Sequence, residues 1–302
     1  MIVEITEIMK RFISKISRRC VALVSIAVFG VFFLEQGFAA ESEQSNQKPD
    51  RVEVYKEIGE VSLRMHIFDE NPESTTDRPA IVFFFGGGWV GGNPKQFFPH
   101  CRYLAERGMV AMSAEYRVKN THQTTPFDCV IDGKSAVRWI RSNASRLKID
   151  LKRVAAGGGS AGGHVAAATA TVPGLDEDAS SSVSPVPNAL VLFNPVYDNG
   201  PEGYGYDRVK DRYFEISPMH NIQEGMAPAI VFLGTKDKLI PVATGEQFKR
   251  RMFEVGARSE LILFDEQGHG FFNYGRSENR FYNETVAHMD RFLTSLGFLE
   301  KQ

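Results

Sequence analysis

The sequence predicts an α/β fold: a mostly parallel, eight-stranded sheet with an antiparallel N-terminal hairpin and helices on both faces. Three observations predict it. Short, continuously apolar runs recur at 80–85, 189–193, 229–233 and 261–264, as in strands covered on both sides. Between them lie stretches with apolar residues three and four apart, the period of a helix with one buried face. Ahead of the first run, 51–58 and 62–68 alternate apolar and polar residues, as half-buried antiparallel strands do.

The chain has 302 residues and a formal net charge of −2. Residues 1–39 read as a leader outside the fold. Lys10, Arg11, Lys15, Arg18 and Arg19 precede an apolar run over 21–34, and Gly37-Phe38-Ala39 has the spacing a signal peptidase favours. The expectation is a secreted or periplasmic protein cut near Ala39. The apolar run falls short of the roughly twenty residues of a spanning helix, so no stable membrane anchor is expected. Residues 40–50 are polar and read as a flexible tether; 51–302 suffice for one large α/β domain. No basic block or aromatic–basic interleaving occurs, which makes nucleic acid a poor partner. Cys101 and Cys129 remain after loss of the leader; a disulfide between them and two buried thiols are both compatible with the sequence.

After the buried strand at 80–85 comes a helix carrying Phe97, Cys101 and Leu104, stopped by Gly108, and then a strand over 109–116. The clearest helix spans 128–147, with Val130, Gly133, Val137, Ile140, Ala144 and Leu147 on one face. A strand then ends abruptly in Gly157-Gly158-Gly159-Ser160-Ala161-Gly162-Gly163-His164. Gly158 to Gly162 fit G-x-S-x-G, a turn so sharp that side chains two before and two after the serine would collide. Residues 173–187 are acidic and serine-rich and read as a surface insertion. A helix with Phe248, Met252 and Val255 separates the last two strands. Tyr282, Val286, Met289, Leu293 and Leu296 mark the closing helix.

Asp237 follows the run at 229–233, and His269, flanked by glycines, follows the run at 261–264. A serine hydroxyl needs a base in contact to become a nucleophile. Imidazole can take that proton and return it to the leaving group. A carboxylate behind the imidazole fixes its tautomer and stabilises the imidazolium. Ser160, Asp237 and His269 are the residues expected to fill these roles. Asp198 is the alternative acid; Asp265 and Glu266 stand too close to the His strand to reach behind the ring. His164 reads as a core residue of the helix after the serine. Gly86-Gly87-Gly88 follow a buried strand and can aim two amides at one point, so Gly87, Gly88 and Ala161 are the expected oxyanion donors. A phosphate loop would need a following Lys-Ser/Thr or the dinucleotide fingerprint, and neither is present. Nor is there a His-Glu-x-x-His helix, so no metal or organic cofactor is implied.

Phe85-Gly86-Gly87-Gly88-Trp89, Gly158-Gly159-Ser160-Ala161-Gly162-Gly163-His164, Gly234-Thr235-Lys236-Asp237 and Gly268-His269-Gly270 together resemble the esterase/lipase branch of the α/β-hydrolases. That branch holds hormone-sensitive-lipase-like esterases and secreted acetyl- and feruloyl-esterase-like enzymes, and the resemblance spans 82–296. Two departures stand out. Phe85 occupies the place of the family's usual His, and Gly159 the place where lipase-like members usually carry Asp. The resemblance implies a serine carboxylesterase working through an acyl-enzyme on a small-molecule or carbohydrate ester, with a short acyl group such as acetyl expected. Trp89 and Tyr197 are the expected substrate contacts, and the aromatic stretch 196–226 is expected to cover the site. The alternatives are an amidase or peptidase with the same triad, or a non-catalytic binding protein on this scaffold.

Overall fold

The computed structural model describes residues 48–177 and 181–301. The expected leader and most of the expected tether lie outside the described residues. Asp50, at the end of that tether, is tied to the sheet: its carboxylate accepts from the Asp69 amide at 2.8 Å and from Arg102 Nη2 at 3.0 Å.

Eight strands form one sheet: β1 (Arg51–Ile58), β2 (Val61–Phe68), β3 (Arg78–Phe84), β4 (Val110–Ala114), β5 (Ile149–Gly159), β6 (Ala189–Phe193), β7 (Ala229–Gly234) and β8 (Ser259–Phe264). Their order is β1-β2-β4-β3-β5-β6-β7-β8. β1 and β2 pair antiparallel, β2 runs antiparallel to β4, and every later pairing is parallel. The period of two splits the core. Ala80, Val82 and Phe84 of β3 join one apolar cluster, while Ile81 and Phe83 join another on the opposite face.

Five helices of nine or more residues cover these faces: α1 (Phe98–Glu106), α2 (Pro126–Ser142), α3 (Ala161–Thr171), α4 (Val242–Glu254) and α5 (Arg280–Ser295). α2, α3 and α4 send Val137, Val165 and Phe248 into the first cluster; α1 and α5 send Leu104 and Met289 into the second. Cys129 lies in the first and Cys101 in the second, and both are free, buried thiols. Among the described residues no helix is long and apolar enough to cross a membrane.

Two boundaries differ from the sequence expectation. The periodic stretch 128–147 is broken at Asn143, whose side-chain amide donates to the Trp139 carbonyl at 2.8 Å; Ala144–Leu147 is a separate turn. The strand leading to Ser160 starts earlier than its apolar run, at Ile149, because its first half is half-exposed. The hairpin is anchored by charge as well as packing. The fully buried Asp132 of α2 accepts from Lys56 Nζ at 2.7 Å and from Arg117 Nε at 2.9 Å, which leaves neither cation unpaired.

Candidate active site

Ser160 follows β5, Asp237 follows β7 and His269 follows β8, so three parallel strands present them at one edge of the sheet, where α/β folds bind ligands. Ser160 has φ 54° and ψ −120°, a conformation that costs a residue with a side chain about 1–3 kcal/mol. The turn is held open by its neighbours. The Ser160 amide donates to the Phe193 carbonyl at 2.9 Å, and the Ser160 carbonyl accepts from His164 at 3.0 Å. A Cβ on Gly158 would stand 2.5 Å from the Gly162 carbonyl, and one on Gly162 only 2.0 Å from the Phe84 carbonyl. The collision expected on both sides of the serine is therefore present.

The structure brings Ser160, His269 and Asp237 into one chain of hydrogen bonds. Ser160 Oγ is 2.9 Å from His269 Nε2, and His269 Nδ1 is 2.8 Å from Asp237 Oδ2. A carboxylate accepts, so Nδ1 carries the proton and Nε2 faces the serine as an acceptor. The other Asp237 oxygen accepts from the Leu239 amide at 2.9 Å and the Ile240 amide at 3.0 Å. Burial pushes this carboxyl up, but the imidazole and the two amides outweigh it and hold Asp237 below the usual carboxylate range. Asp198, the alternative acid, stands elsewhere, 3.9 Å from His220 Nδ1.

Beside the serine the loop 86–92 folds back on itself. Gly87 has φ 134°, and a Cβ there would lie 2.1 Å from the Gly91 carbonyl. Among the described hydrogen bonds none has the amide of Gly87, Gly88 or Ala161 as donor, and Gly87 and Gly88 line the same cavity as Ser160. Such amides, near a nucleophile and without an acceptor, are able to receive developing negative charge.

Phe85, in the place of the family's His, braces this loop by packing. Its ring stacks on Tyr116 with centroids 4.2 Å apart, and its carbonyl accepts from Tyr116 Oη at 2.6 Å. Gly159 has no room for the Asp of lipase-like relatives: a Cβ there would lie 2.7 Å from the ring of Phe272.

A cavity of about 370 Å³ opens over Ser160 and His269. The expected substrate contacts sit differently from the sequence reading. Trp89, at φ 59°, turns inward and is 2 % exposed; its ring meets His164 edge-on and leans on Tyr204. It backs the wall rather than lining the cavity. Tyr197 is 1 % exposed, stacks on Phe248 and borders a second cavity of about 550 Å³. From the stretch 196–226 it is Tyr204 and Arg208 that reach the catalytic cavity. His164 is buried as expected and donates from Nε2 to the Ile216 carbonyl at 3.0 Å.

Sequence reasoning missed a polar strap. The Gly86 amide donates to Gln96 Oε1 at 2.7 Å, Gln96 Nε2 donates to Asn273 Oδ1 at 2.8 Å, and Asn273 Nδ2 donates to the Gly270 carbonyl at 2.7 Å. The Gly270 amide in turn donates to Asn194 Oδ1 at 2.9 Å, and Asn194 Nδ2 lies 3.4 Å from His269 Nε2. The glycine loop and the histidine loop are thus hydrogen-bonded to each other. Asn194, at the end of β6, was the one member a strand-end search would have found. Among the described residues no group of three or more His, Cys, Asp or Glu side chains is placed to hold a metal ion.

Comparison with known proteins agrees with this architecture. Residues 65–198 match the BD-FAE family model. Esterase LipC of Mycobacterium tuberculosis is 30% identical over 220 residues, covering 65% of this chain and 54% of that protein. Acetylxylan esterase of Xylanibacter ruminicola is 27% identical over 217 residues, covering 66% and 42%. The chain spans about half the length of these curated relatives. Among solved structures, esterase 2 of Thermogutta terrifontis phosphorylated by paraoxon superposes with a TM-score of 0.79 at 43% identity, over 83% of this chain and 96% of that one. Its propionate-bound form gives 0.81 at 42%, over 85% and 97%. The chain belongs to the esterase/lipase branch of the α/β-hydrolase family.

Proposed function

We propose that this protein is a serine carboxylesterase acting on short acyl esters. The observation that carries the proposal is the unbroken hydrogen-bond chain from Ser160 through His269 to Asp237, beside amides with no acceptor among the described residues. Ser160 Oγ attacks the ester carbonyl as His269 Nε2 takes its proton. Asp237 holds the imidazole in the required tautomer and stabilises the imidazolium. Gly87, Gly88 and Ala161 receive the oxyanion, each such donor contributing about 2.7–4 kcal/mol in comparable enzymes. His269 then gives the proton to the departing alcohol, leaving an acyl group on Ser160. Water enters, loses its proton to His269, cleaves the acyl-enzyme and restores the serine.

Short acyl groups are supported by the modest cavity and by the related esterase from Thermogutta terrifontis, structures of which hold propionate or butyrate. A carbohydrate alcohol draws support from the acetylxylan esterase relative. In this proposal residues 1–39 serve as a cleaved leader and the enzyme works outside the cytoplasm, a reading supported by the basic stretch and apolar run of the sequence; N-terminal sequencing of exported protein should find a start near residue 40. Turnover of 4-nitrophenyl acetate, abolished by Ser160→Ala, is the expected result. No turnover on a panel of esters by the unsubstituted protein would instead favour a binding protein on a hydrolase scaffold.

A further inference from the structure

The catalytic cavity carries two arginines and no carboxylate. Arg208 and Arg276 line it together with the glycine loop, Ser160 and His269, and no Asp or Glu side chain is among the lining residues. The second cavity, which shares the Tyr204 and Leu239 walls, differs: its lining holds both signs, Asp198 and Glu202 together with Lys238 and Arg250. Most arginines of this fold meet a carboxylate, as Arg78 meets Asp69 and Arg107 meets Asp290. Among the described residues neither Arg208 nor Arg276 has an acidic partner.

Both cations stand near the chemistry. The Arg208 guanidinium lies over the Trp89 ring at 5.5 Å and the Tyr204 ring at 5.7 Å, and one of its nitrogens donates to the Gly88 carbonyl. Cation–π contact with a buried indole aims a side chain that would otherwise wander in solvent. Arg276 Nη1 comes within 3.7 Å of where a Cβ on Gly270 would be, beside His269. One guanidinium therefore stands on the oxyanion loop and the other on the histidine loop. An uncharged ester needs neither. A guanidinium fork matches a carboxylate in two parallel hydrogen bonds, and two unneutralised forks around one small cavity favour an anion.

Building on the carboxylesterase reading, we propose that the substrate carries an anionic group, a carboxylate, near the scissile ester, and that Arg208 and Arg276 bind it. The anion belongs either to the acyl part or to the alcohol part, and two matched pairs of esters separate these. Monomethyl glutarate against methyl 4-carbamoylbutanoate places the charge on the acyl side. 4-Acetoxybenzoate against 4-acetoxybenzamide places it on the alcohol side. Each kcat/KM is divided by the ester's own alkaline hydrolysis rate, so that intrinsic reactivity cancels.

The expected result is an advantage of about tenfold for the anionic member of at least one pair at low salt. The advantage should shrink as sodium chloride is raised and the Debye length falls. In the Arg208→Gln/Arg276→Gln double variant the anionic-to-neutral ratio should drop towards one, and Arg→Lys at both positions should keep part of it. Neutral esters turned over as well as anionic ones in both pairs would overturn this inference and leave the carboxylesterase reading standing. A preference undiminished in the double variant, or a double variant that slows both members of a pair equally, would also overturn it. The second result would assign the arginines to the oxyanion. Turnover of none of the four esters would overturn both readings.

Discussion

The two sides of the catalytic cavity treat their polar atoms in opposite ways. On the histidine side the groups that carry the proton and their supports are engaged: His269 with Ser160 and Asp237, Asp237 with two amides, Gly270 with Asn194, Asn273 with Gln96. On the glycine side the amides of Gly87 and Gly88 have no described acceptor, although the loop carrying them is fixed by the Gly91 amide, which donates to the Gly87 carbonyl at 3.2 Å, and by Phe85 and Gln96. The difference separates two requirements of acyl transfer. Proton movement needs partners already in line, whereas charge stabilisation needs donors that are rigid yet unoccupied until the oxyanion forms.

The sharpest way to break this contrast is on the engaged side, where groups act as a unit. Ser160→Ala or His269→Ala should each lower kcat by about 10⁶-fold, and the double variant should lose no more than either alone. Losses that multiplied would show two independent contributions. Asp237→Asn keeps the shape but not the charge or tautomer control, and should cost about 10⁴-fold in kcat. On the open side, Gly87→Ala drives a Cβ to within 2.1 Å of the Gly91 carbonyl. The loop must shift, and kcat should fall about 10²–10³-fold while circular dichroism stays that of the parent. Unchanged kcat would mean that these amides receive no charge.

The strap joining the two sides supplies a smaller and more discriminating effect. Gln96→Leu and Asn273→Ala should each lower kcat by about tenfold with little change in KM, because both act through loops that position reacting groups. If the strap works as described, the double variant should resemble either single one, the signature of coupled residues.

What the sequence disclosed follows the same division. The serine, its two glycines, Asp237 and His269 are legible because backbone geometry at strand ends fixes their spacing. Gln96 and Asn273 meet across 177 positions, and nothing local marks either as a partner of the other. Trp89 misled for a related reason. It was expected to touch substrate, but its left-handed backbone turns the ring beneath the loop, against His164 and Tyr204. Asn143 broke a helix whose apolar period ran straight through it, because its side chain competes for the Trp139 carbonyl. The eight-stranded, mostly parallel sheet, its antiparallel hairpin and the two-sided core, by contrast, were readable from the runs themselves.

The smallest expected effect concerns the floor beneath the engaged side. His100 is fully buried among Phe83, Phe97, Phe193, Phe272 and Tyr282, and neither ring nitrogen has a hydrogen-bond partner among the described residues. Burial lowers its pKa to about 3. The unfolded chain binds this proton near pH 6.5, so between those values the unfolded state holds more protons and stability falls as pH falls. The loss is about 1.4 kcal/mol per pH unit, or about 2 kcal/mol from neutrality to pH 5. His100→Phe should keep the packing and remove that part of the acid loss in urea unfolding at pH 7 and pH 5. Equal acid losses in variant and parent would place the protonation elsewhere.

The most direct test of the central claim is the mass of the protein after exposure to paraoxon, followed by mapping of the modified peptide. The related esterase from Thermogutta terrifontis is phosphorylated by this reagent. One diethylphosphoryl group per chain is predicted, carried by Ser160, with activity lost in step and no adduct on Ser160→Ala. Full inhibition with the adduct on another residue, or ester turnover surviving in Ser160→Ala, would contradict the account.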